Sequence, residues 1–416
     1  MNASPSTPAV HVAGVGITRF AKQPELSVKD LVREAVTEAL VDAGCDPLWI
    51  DAAYFATAGQ GAIEGQHMVA GEIALKAMGI EGIAVTNVEN ACASSSTALN
   101  AARWCVAAGG SDICLVVGVD KLFSSDKEKS FSVFDGAWDV HRSTEGLQAL
   151  ASLAPRIQPP SDYVEPGRRS VFMDIYASLA KLHMQTFGTT QRQIAAVAAK
   201  NHVHSTRNSK AQFQYPLTID EVMAARPVSW PLTLPMCAPI GDGAAAAIVC
   251  SAAGLRRLNA ARAVRLLASV IRSATDRPAD AYDRHLCHLA ALQAYEMAGV
   301  GPKDMSLAEV HDATAFAEIQ QTEALAFCPF GEGGLMAESG ATSLGGRIPI
   351  NVNGGLLSRG HPIGATGLAQ IHEMVTQLRR EAGPRQVEGA RFAIAENGGG
   401  FNGVEEAVTC ITILGR

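Results

Sequence analysis

The chain has 416 residues, of which 48% are hydrophobic and 18% are charged, and its formal net charge is −7. This length predicts two or three domain-sized units with an extensive core, and an acidic balance without a basic stripe argues against nucleic acid as a general partner. No apolar run reaches about 18 residues without a charge or a turn residue, so no membrane span is predicted.

The nine cysteines are scattered along the chain, without a C-x-x-C pair and without the spacing of metal ligands. This usage is typical of free thiols in a reducing compartment. We therefore expect a cytoplasmic protein, and the pattern predicts no metal site.

The first 120 residues alternate apolar strand-like runs with helical patterns. Strands are predicted at 10–16, 52–57, 82–88 and 113–117, and helices at 27–43, 67–78 and 96–108. Near-continuous apolar strands between helices favour an α/β sheet covered on both faces. The run at 82–86 is accordingly predicted to be a buried strand.

Cys92 stands where that strand gives way to a helix of small residues. A thiol at a helix N-terminus meets unpaired N–H groups and the positive end of the helix dipole, so we expect its pKa to be lowered. The segment taken alone fits a buried structural cysteine as well as a nucleophile.

The alternation breaks from residue 121 to about 225. A charged run at 121–129 and a proline-rich run at 154–166 flank helices predicted at 172–187 and 192–205. We interpret this stretch as an insertion that covers the site, followed by a returning strand at 244–250. The predicted units are 1–120 for the first half, 121–225 for the insertion, 226–260 for the return strands and 261–416 for the second half.

A long-range repeat indicates a duplication. The pattern of apolar helix, glycine and proline at 39–47 recurs at 294–302, and strand-like runs precede and follow both copies. Two halves with the same strand–helix–strand order favour one α/β fold used twice, since a period this long is not that of a solenoid. Chance similarity of two amphipathic helices is the alternative.

The second half supplies groups that a reactive thiol needs. His361 lies in the glycine-lined turn 360–367 before an apolar helix at 368–378, where it is either the base for Cys92 or a helix cap. His311 closes a strand, at the end where α/β sheets build their sites. Asp312 either orients His311 or caps the next helix. The glycines at 398–400 either offer N–H groups to an oxyanion or form a β-bulge.

Together these residues resemble the thiolase superfamily, most closely the sterol carrier protein x-type (lipid-transfer) thiolases, from about residue 10 to 414. The resemblance is carried by N-A-C-A-S-S-S-T-A-L, W-P-L-T-L-P-M-C with G-D-G-A-A-A-A, H-D-A-T-A-F, and N-G-G-L-L-S-R-G-H-P-I-G-A-T-G-L-A-Q. It implies a thiolase fold with two duplicated βαβαβ-type halves in five layers (α-β-α-β-α) and an insertion loop domain.

The resemblance also implies roles for individual residues. Cys92 matches the nucleophile and His361 the base that activates it. His311 matches the histidine that, with His361, binds the thioester oxygen of the second substrate. The N–H groups of Cys92 and Gly398 match an oxyanion hole. His183 and Met184 fall loosely where the family binds coenzyme A and the acyl group.

One departure concerns the second catalytic cysteine of many thiolases. Its C-x-G position is occupied here by Glu396-Asn397-Gly398, and Ala313 stands where some relatives carry a cysteine. Glu396 is either an acid/base with a pKa raised by burial or a salt-bridged strand residue.

The resemblance implies an acyltransferase of lipid metabolism that forms an acyl-Cys enzyme from acyl-CoA and makes or breaks a C–C bond by Claisen-type chemistry. No permanently bound cofactor is expected, with the coenzyme A thioester as substrate, and a homodimer is implied. The alternatives are a C-acyltransferase to a non-thioester acceptor, a retro-aldol lyase with a zinc-ribbon/OB-fold partner, and a non-catalytic lipid-binding or scaffold protein.

Overall fold

The computed structural model describes residues 8–164, 166–167 and 169–416. Its strands are β1 Val10–Ile17, β2 Ala52–Ala56, β3 Ala84–Val88, β4 Ile113–Lys121, β5 Pro227–Ser229, β6 Leu232–Thr233, β7 Asp242–Ser251, β8 Val264–Ser273, β9 Leu307–Glu309, β10 Phe392–Gly399 and β11 Val408–Gly415. Its α-helices are α1 Val28–Ala43, α2 Gln60–Glu64, α3 Ala70–Lys76, α4 Ser94–Ala107, α5 Lys127–Asp135, α6 Ser143–Ala151, α7 Val171–Phe187, α8 Gln191–Ser205, α9 Ile219–Ala224, α10 Ala252–Leu255, α11 Leu286–Ala298, α12 Ala315–Ala324, α13 Gly333–Glu338, α14 Gly355–Arg359 and α15 Thr366–Leu378.

Within the described residues, nine strands form one sheet in the order β3-β2-β4-β7-β1-β8-β11-β10-β9. The order is symmetric about the short antiparallel pairing of β1 with β8. On each side the next two pairings are antiparallel, β1–β7–β4 and β8–β11–β10. A parallel pairing follows, β4–β2 or β10–β9. The predicted duplication is therefore confirmed in the strand pairing.

The hydrophobic core follows the same division. α1 and α3 cover the outer face of the first half, and α11 and α12 cover that of the second. α4 and α15 pack against each other between the inner faces of both halves. This gives the five-layer α-β-α-β-α arrangement of the thiolase fold, with one helix from each half in the middle layer.

The repeated outer helices end in the same way because their sequences carry the same signal. α1 begins at a Ser27–Asp30 capping box and ends at Gly44, whose φ is 63°. α11 ends at Gly299, whose φ is 68°. Glycine adopts this left-handed conformation without a steric cost, so it terminates both helices.

Two predictions for the first half were wrong in detail. β3 is the edge strand of the sheet and is half-exposed, whereas a buried strand was predicted. Among the described residues no further strand pairs with its outer edge, which stays open to solvent. The helix predicted at 67–78 is limited to α3, and Val69 at its N-cap has a φ of 52°.

The stretch between β4 and β7 contributes no strand to the large sheet. It contains α5 to α9 and the two-stranded ribbon β5–β6, and α7 and α8 pack against second-half helices, α8 against α13 and α14 and both against α12. The exact boundaries 1–120, 121–225, 226–260 and 261–416 stay a prediction. Among the described helices, none is long and apolar enough to cross a bilayer.

Candidate active site

The cluster of reactive side chains lies where the two middle-layer helices begin. Cys92 precedes α4, His361 precedes α15, and His311 follows β9. The Cys92 Sγ atom and one nitrogen of each histidine ring lie within 4.8 Å of one another. The two rings stand nearly perpendicular, at 85°, with centroids 5.1 Å apart. The fold thus brings together the three residues that the sequence singled out.

The backbone at Cys92 is constrained on both sides. Ala91 has a φ of 49°, which is unusual for a residue with a side chain. Its N–H donates to Glu89 Oε1 at 2.6 Å. Gly399 packs so closely that a Cβ there would overlap the carbonyl oxygen of Asn90. These contacts fix Cys92 against the glycine run of β10.

The thiol of Cys92 does not have the lowered pKa expected at a helix N-terminus. Burial, reinforced by the charge of Asp120, raises its pKa to about 12, although the N–H groups of Gly400 and of Cys92 itself act in the opposite direction. The effect of desolvation on the thiol pKa is larger than the effect of these N–H groups because the sulfur lies inside the protein. The resting cysteine is therefore a neutral thiol.

His361 has its proton on Nδ1. The Thr366 hydroxyl donates to the Pro362 carbonyl at 3.1 Å, so its oxygen accepts from His361 Nδ1–H at 2.7 Å. Burial, His311 and Arg359 lower the pKa of His361 well below its ordinary value. The ring is neutral, and its Nε2 lone pair is free to accept a proton.

His311 has the opposite tautomer. Ser96 donates to Asn397 Oδ1 at 2.7 Å, which turns the Asn397 amide so that its Nδ2 donates to His311 Nδ1 at 3.0 Å. The proton of the neutral ring is then on Nε2. Burial and the charge of Arg359 lower the pKa of His311 to about 3. One histidine of the pair accepts a proton and the other donates a hydrogen bond.

Arg359 carries a buried charge that acts on both histidines. Its side chain is 1% exposed, and none of its three nitrogens has a hydrogen-bond partner among the described residues. Glu309 Oε2 is 3.8 Å away, but burial raises the pKa of Glu309 well above its usual range. The guanidinium therefore opposes protonation of His311 and His361.

Glu396 lies behind the site, outside the cavity that holds Cys92. Its carboxylate accepts from the His311 N–H at 2.9 Å and from the Thr409 hydroxyl at 3.2 Å. Burial and the neighbouring Glu406 raise its pKa to about 8. The raised pKa was expected. Within the described part of the chain Glu396 has no salt bridge, and it does not line the cavity in which the predicted acid/base would act.

Asp312 performs neither function predicted for it. Its carboxylate accepts from the N–H of Leu356 at 2.6 Å and from Asn201 Nδ2 at 2.8 Å. It therefore caps α14, a helix distant in sequence, rather than orienting the His311 ring.

A cavity of about 710 Å³ opens onto this cluster. Cys92, His311, His361 and the glycines 398–400 form its reactive end. Apolar and aromatic side chains form much of the rest: Phe131, Phe134, Phe172, Met173, Tyr176, Phe213, Tyr215, Val228 and Leu234. Lys22, Arg169 and Arg226 add cationic groups to the lining. The cavity suits a ligand with a large apolar part and an anionic part.

His183 and Met184 do not line this cavity, contrary to the expectation for them. The His183 ring is 1% exposed and bonds Thr189 at 2.7 Å and Glu323 at 3.0 Å. The physical reason is their position along α7. Tyr176 faces the cavity, and His183 lies two helical turns, about 10 Å, beyond it.

Three residues important to the geometry were not singled out from the sequence. Thr366 and Asn397 set the tautomers of the histidines. Asp120 accepts from Thr57, from the Gly59 N–H and from the Gly364 N–H at 2.6 Å, which ties the His361 turn to β4. Thr366 lies in a quoted motif and Asn397 beside Glu396, and that proximity was the available signal; Asp120 lies in no quoted motif.

The cluster also resembles a set of metal ligands. A thiolate and two imidazoles are groups that zinc prefers. The spacing of the cysteines predicted no metal site. Sequence spacing could not reveal this cluster, because its three side chains come from separate segments of the chain.

Residues 10–253 match the family model of the thiolase N-terminal domain, and residues 272–416 match that of the thiolase C-terminal domain-like family. The chain belongs to the thiolase family. It is an acyltransferase with the carbon–carbon bond chemistry of that family.

Curated relatives match this thiolase over nearly its whole length. It is 38% identical to the acetyl-CoA acetyltransferase of Methanothermobacter thermautotrophicus over 398 residues, covering 95% of this chain and 97% of the relative. It is 35% identical to human sterol carrier protein 2, covering 95% of this chain and 72% of that protein. Identity to the benzoylsuccinyl-CoA thiolase subunit BbsB of Thauera aromatica is 34%, with 91% of each covered.

Two solved structures share the fold. Human mitochondrial 3-ketoacyl-CoA thiolase superposes with a TM-score of 0.71 at 15% identity, and 99% of each chain is covered. A structure titled Ltp2-ChsH2(DUF35) aldolase superposes with a TM-score of 0.75 at 22% identity, again with 99% of each chain covered.

Proposed function

We propose that this thiolase carries its acyl group on Cys92, loaded from an acyl-CoA with His361 as general base. The observation that carries the proposal is the pairing of a buried thiol with an imidazole whose Nε2 is unprotonated, inside a substrate-sized cavity. A nucleophile and base in such proximity are the requirement of covalent acyl transfer.

The pKa values favour proton transfer during attack over a resting ion pair. The thiol pKa is raised and the His361 pKa is lowered, so both groups are neutral before substrate binds. The sulfur loses its proton to His361 as it adds to the thioester carbonyl. Coenzyme A leaves as a thiolate, and His361 holds the proton until deacylation returns it to Cys92.

Hydrogen-bond donors stand where negative charge develops. We assign the N–H groups of Cys92 and Gly398 to the oxyanion of the acyl-enzyme step. His311, with Nε2–H directed away from Asn397, is suited to the thioester oxygen of the second substrate as its enolate forms. Buried, preoriented donors are the usual source of such stabilisation.

The cavity supports a coenzyme A thioester as substrate, with no permanently bound cofactor. The exposed cations Lys22 and Arg226 line it and are suited to the phosphates of coenzyme A, while the aromatic wall is suited to an apolar acyl group. His183 and Met184 have no part in this proposal because both lie outside the cavity.

We further propose a homodimer formed at the exposed edge of β3. This strand lacks an outer partner, and the nearby apolar side chains of Met68 and Trp104 are 76% and 51% exposed. Exposed edge strands pair readily with a second chain. The nine free thiols support a cytoplasmic location.

A second candidate keeps the same site but changes the acceptor or the reaction. Ala313 and the withdrawn Glu396 leave the cavity without the usual second thiol, which favours a retro-aldol lyase or transfer to a non-thioester carbon acceptor. The solved relative titled as a complex with a DUF35 protein supports a zinc-ribbon/OB-fold partner for such a reaction. A non-catalytic lipid-binding role is disfavoured by two histidines with complementary tautomers around one thiol.

Intact-mass analysis after incubation with a panel of acyl-CoAs tests the proposal. Cys105 is the matched control, because it is half-exposed outside the cavity and its neighbour Ser111 helps lower its pKa against the effect of burial. We expect one acyl adduct on the wild type and on Cys105→Ala, and none on Cys92→Ala. An adduct that disappears only in Cys105→Ala, or no adduct with any chain length, contradicts acyl transfer through Cys92.

A further inference from the structure

Claisen chemistry needs a second proton carrier, in addition to His361, at the carbon atom next to the thioester. In this chain Ala313 cannot serve, and Glu396 lies outside the cavity. Besides the three clustered residues and the cationic groups, the cavity is lined by few side chains with a transferable proton. Apart from the Ser170 hydroxyl, which caps α7, they are Glu89, His202, Tyr215, Cys237 and Tyr176.

Four of these groups are poorly placed. Glu89 is exposed and bonds the Ala91 N–H. His202 and Tyr215 pack against each other with Phe213, at the wall formed by α8. The Cys237 thiol donates to the Thr233 carbonyl at 3.5 Å, and the only charged side chain that acts on it is that of Arg226.

Tyr176 differs from them in location. It lies on α7, its ring packs in the apolar cluster around that helix, and only 5% of it is exposed. Its hydroxyl has no hydrogen-bond partner among the described residues, although it lines the cavity. Burial, and after it the neighbouring acidic group of Glu406, raises its pKa well above its ordinary value. Tyr176 and Cys92 line the same cavity, and the phenol is protonated.

We propose that Tyr176 is a catalytic residue, the proton carrier at the α-carbon of the thioester, in place of a second cysteine. The proposal rests on the proposed function of Cys92. In the cleavage direction, the Cys92 sulfur adds to the 3-oxo carbon of a 3-oxoacyl-CoA and the C2–C3 bond breaks. Its electron pair stays on C2 as a thioester enolate, and the Tyr176 hydroxyl gives its proton to C2.

The second half-reaction restores every proton. The Tyr176 phenolate takes the thiol proton of incoming coenzyme A, whose sulfur attacks the acyl group on Cys92. Cys92 leaves as a thiolate and regains from His361 the proton it lost at the start. Condensation follows the same steps in reverse, with the phenolate removing the α-proton. No oxidant, metal or further co-reactant is needed.

The test compares two rates for the acyl-CoA that best loads Cys92. One is the rate of adduct formation by intact mass, and the other is deuterium incorporation at C2 of that acyl-CoA in D2O. For Tyr176→Phe we expect the exchange rate to fall about 100-fold or more, with acylation of Cys92 within about 3-fold of the wild type. Tyr176→Cys, which supplies a thiol, is expected to regain part of the exchange.

Tyr282→Phe is the matched control, since Tyr282 is a largely buried tyrosine outside the cavity that packs against His183 and Phe187. It is expected to leave both rates unchanged. The inference is overturned if Tyr176→Phe exchanges deuterium at C2 at the wild-type rate. It is also overturned if, in both Tyr176 variants, the acylation rate and the exchange rate fall by the same factor. No adduct on the wild type overturns the proposed function itself, and with it this inference.

Discussion

The Thr366 hydroxyl oxygen lies 2.7 Å from Nδ1 of His361 while its proton is directed to the Pro362 carbonyl. This single contact fixes which nitrogen of His361 faces the cavity as a base. It also comes from the first residue of α15, so the start of that helix and the tautomer of His361 depend on the same side chain.

Replacing Thr366 with valine removes that acceptor without changing the shape of the side chain. We expect the rate of Cys92 acylation to fall about 10- to 100-fold, because the neutral His361 ring then samples the wrong tautomer. Thr376→Val is the control. Thr376 makes the same bond to a carbonyl four residues earlier on α15 but does not touch His361. Stopped-flow measurement of acylation checks the difference, and equal effects of the two variants would contradict it.

Asn397→Asp is expected to separate the two half-reactions. An aspartate accepts from His311 Nδ1–H, which moves the ring proton away from Nε2 and raises the pKa of the histidine. Deuterium exchange at C2 should fall at least about 10-fold, whereas adduct formation on Cys92 changes by less than about 3-fold. Asn397→Ser retains a hydrogen-bond donor, its hydroxyl, on a shorter side chain. Its rate of deuterium exchange at C2 should fall less than that of Asn397→Asp.

Arg359→Met tests the influence of the buried charge on the histidines. Arg359 lowers the pKa values of His311 and His361, so its removal raises them. Acylation needs neutral His361, and the acidic limb of its pH–rate profile should therefore move to higher pH. Among the described residues the guanidinium has no hydrogen-bond partner, and burial keeps its neighbour Glu309 protonated. We therefore expect the free energy of unfolding to stay the same or to rise. An unmoved acidic limb would show that Arg359 does not act on His361.

The buried carboxyl group of Glu396 makes stability depend on pH. Its folded-state pKa, about 8, lies above the usual value of 4.5, so the folded state holds its proton more tightly than the unfolded state. This stabilisation is complete below pH 4.5 and is lost as pH rises to 8, with a slope of at most about 1.4 kcal/mol per pH unit. Glu396→Gln can still accept from the His311 N–H and can donate its amide N–H to the Thr409 hydroxyl, and it should flatten that part of the denaturation profile. Glu388→Gln, at an exposed position, should leave it unchanged.

Much of the fold was predictable because its signals are local or periodic. The repeated helix ending in glycine and proline indicated a duplication, and the strand pairing confirmed it. β3 was misjudged since an apolar run gives no information on whether another strand will pair with it. The thiol pKa of Cys92 was misjudged for a related reason: a helix N-terminus is visible in sequence, whereas the depth of burial is not.

The sequence by itself determined the thiolase fold class and the identity of Cys92, His311 and His361, because short motifs and helix boundaries carry those features. Only the tertiary structure decided what surrounds them. It directs the Asn397 amide to His311, leaves Glu396 and His183 outside the cavity, and places Tyr176 in the wall of the cavity that holds Cys92. These outcomes depend on distances between residues far apart in the chain, and packing sets such distances while sequence spacing does not.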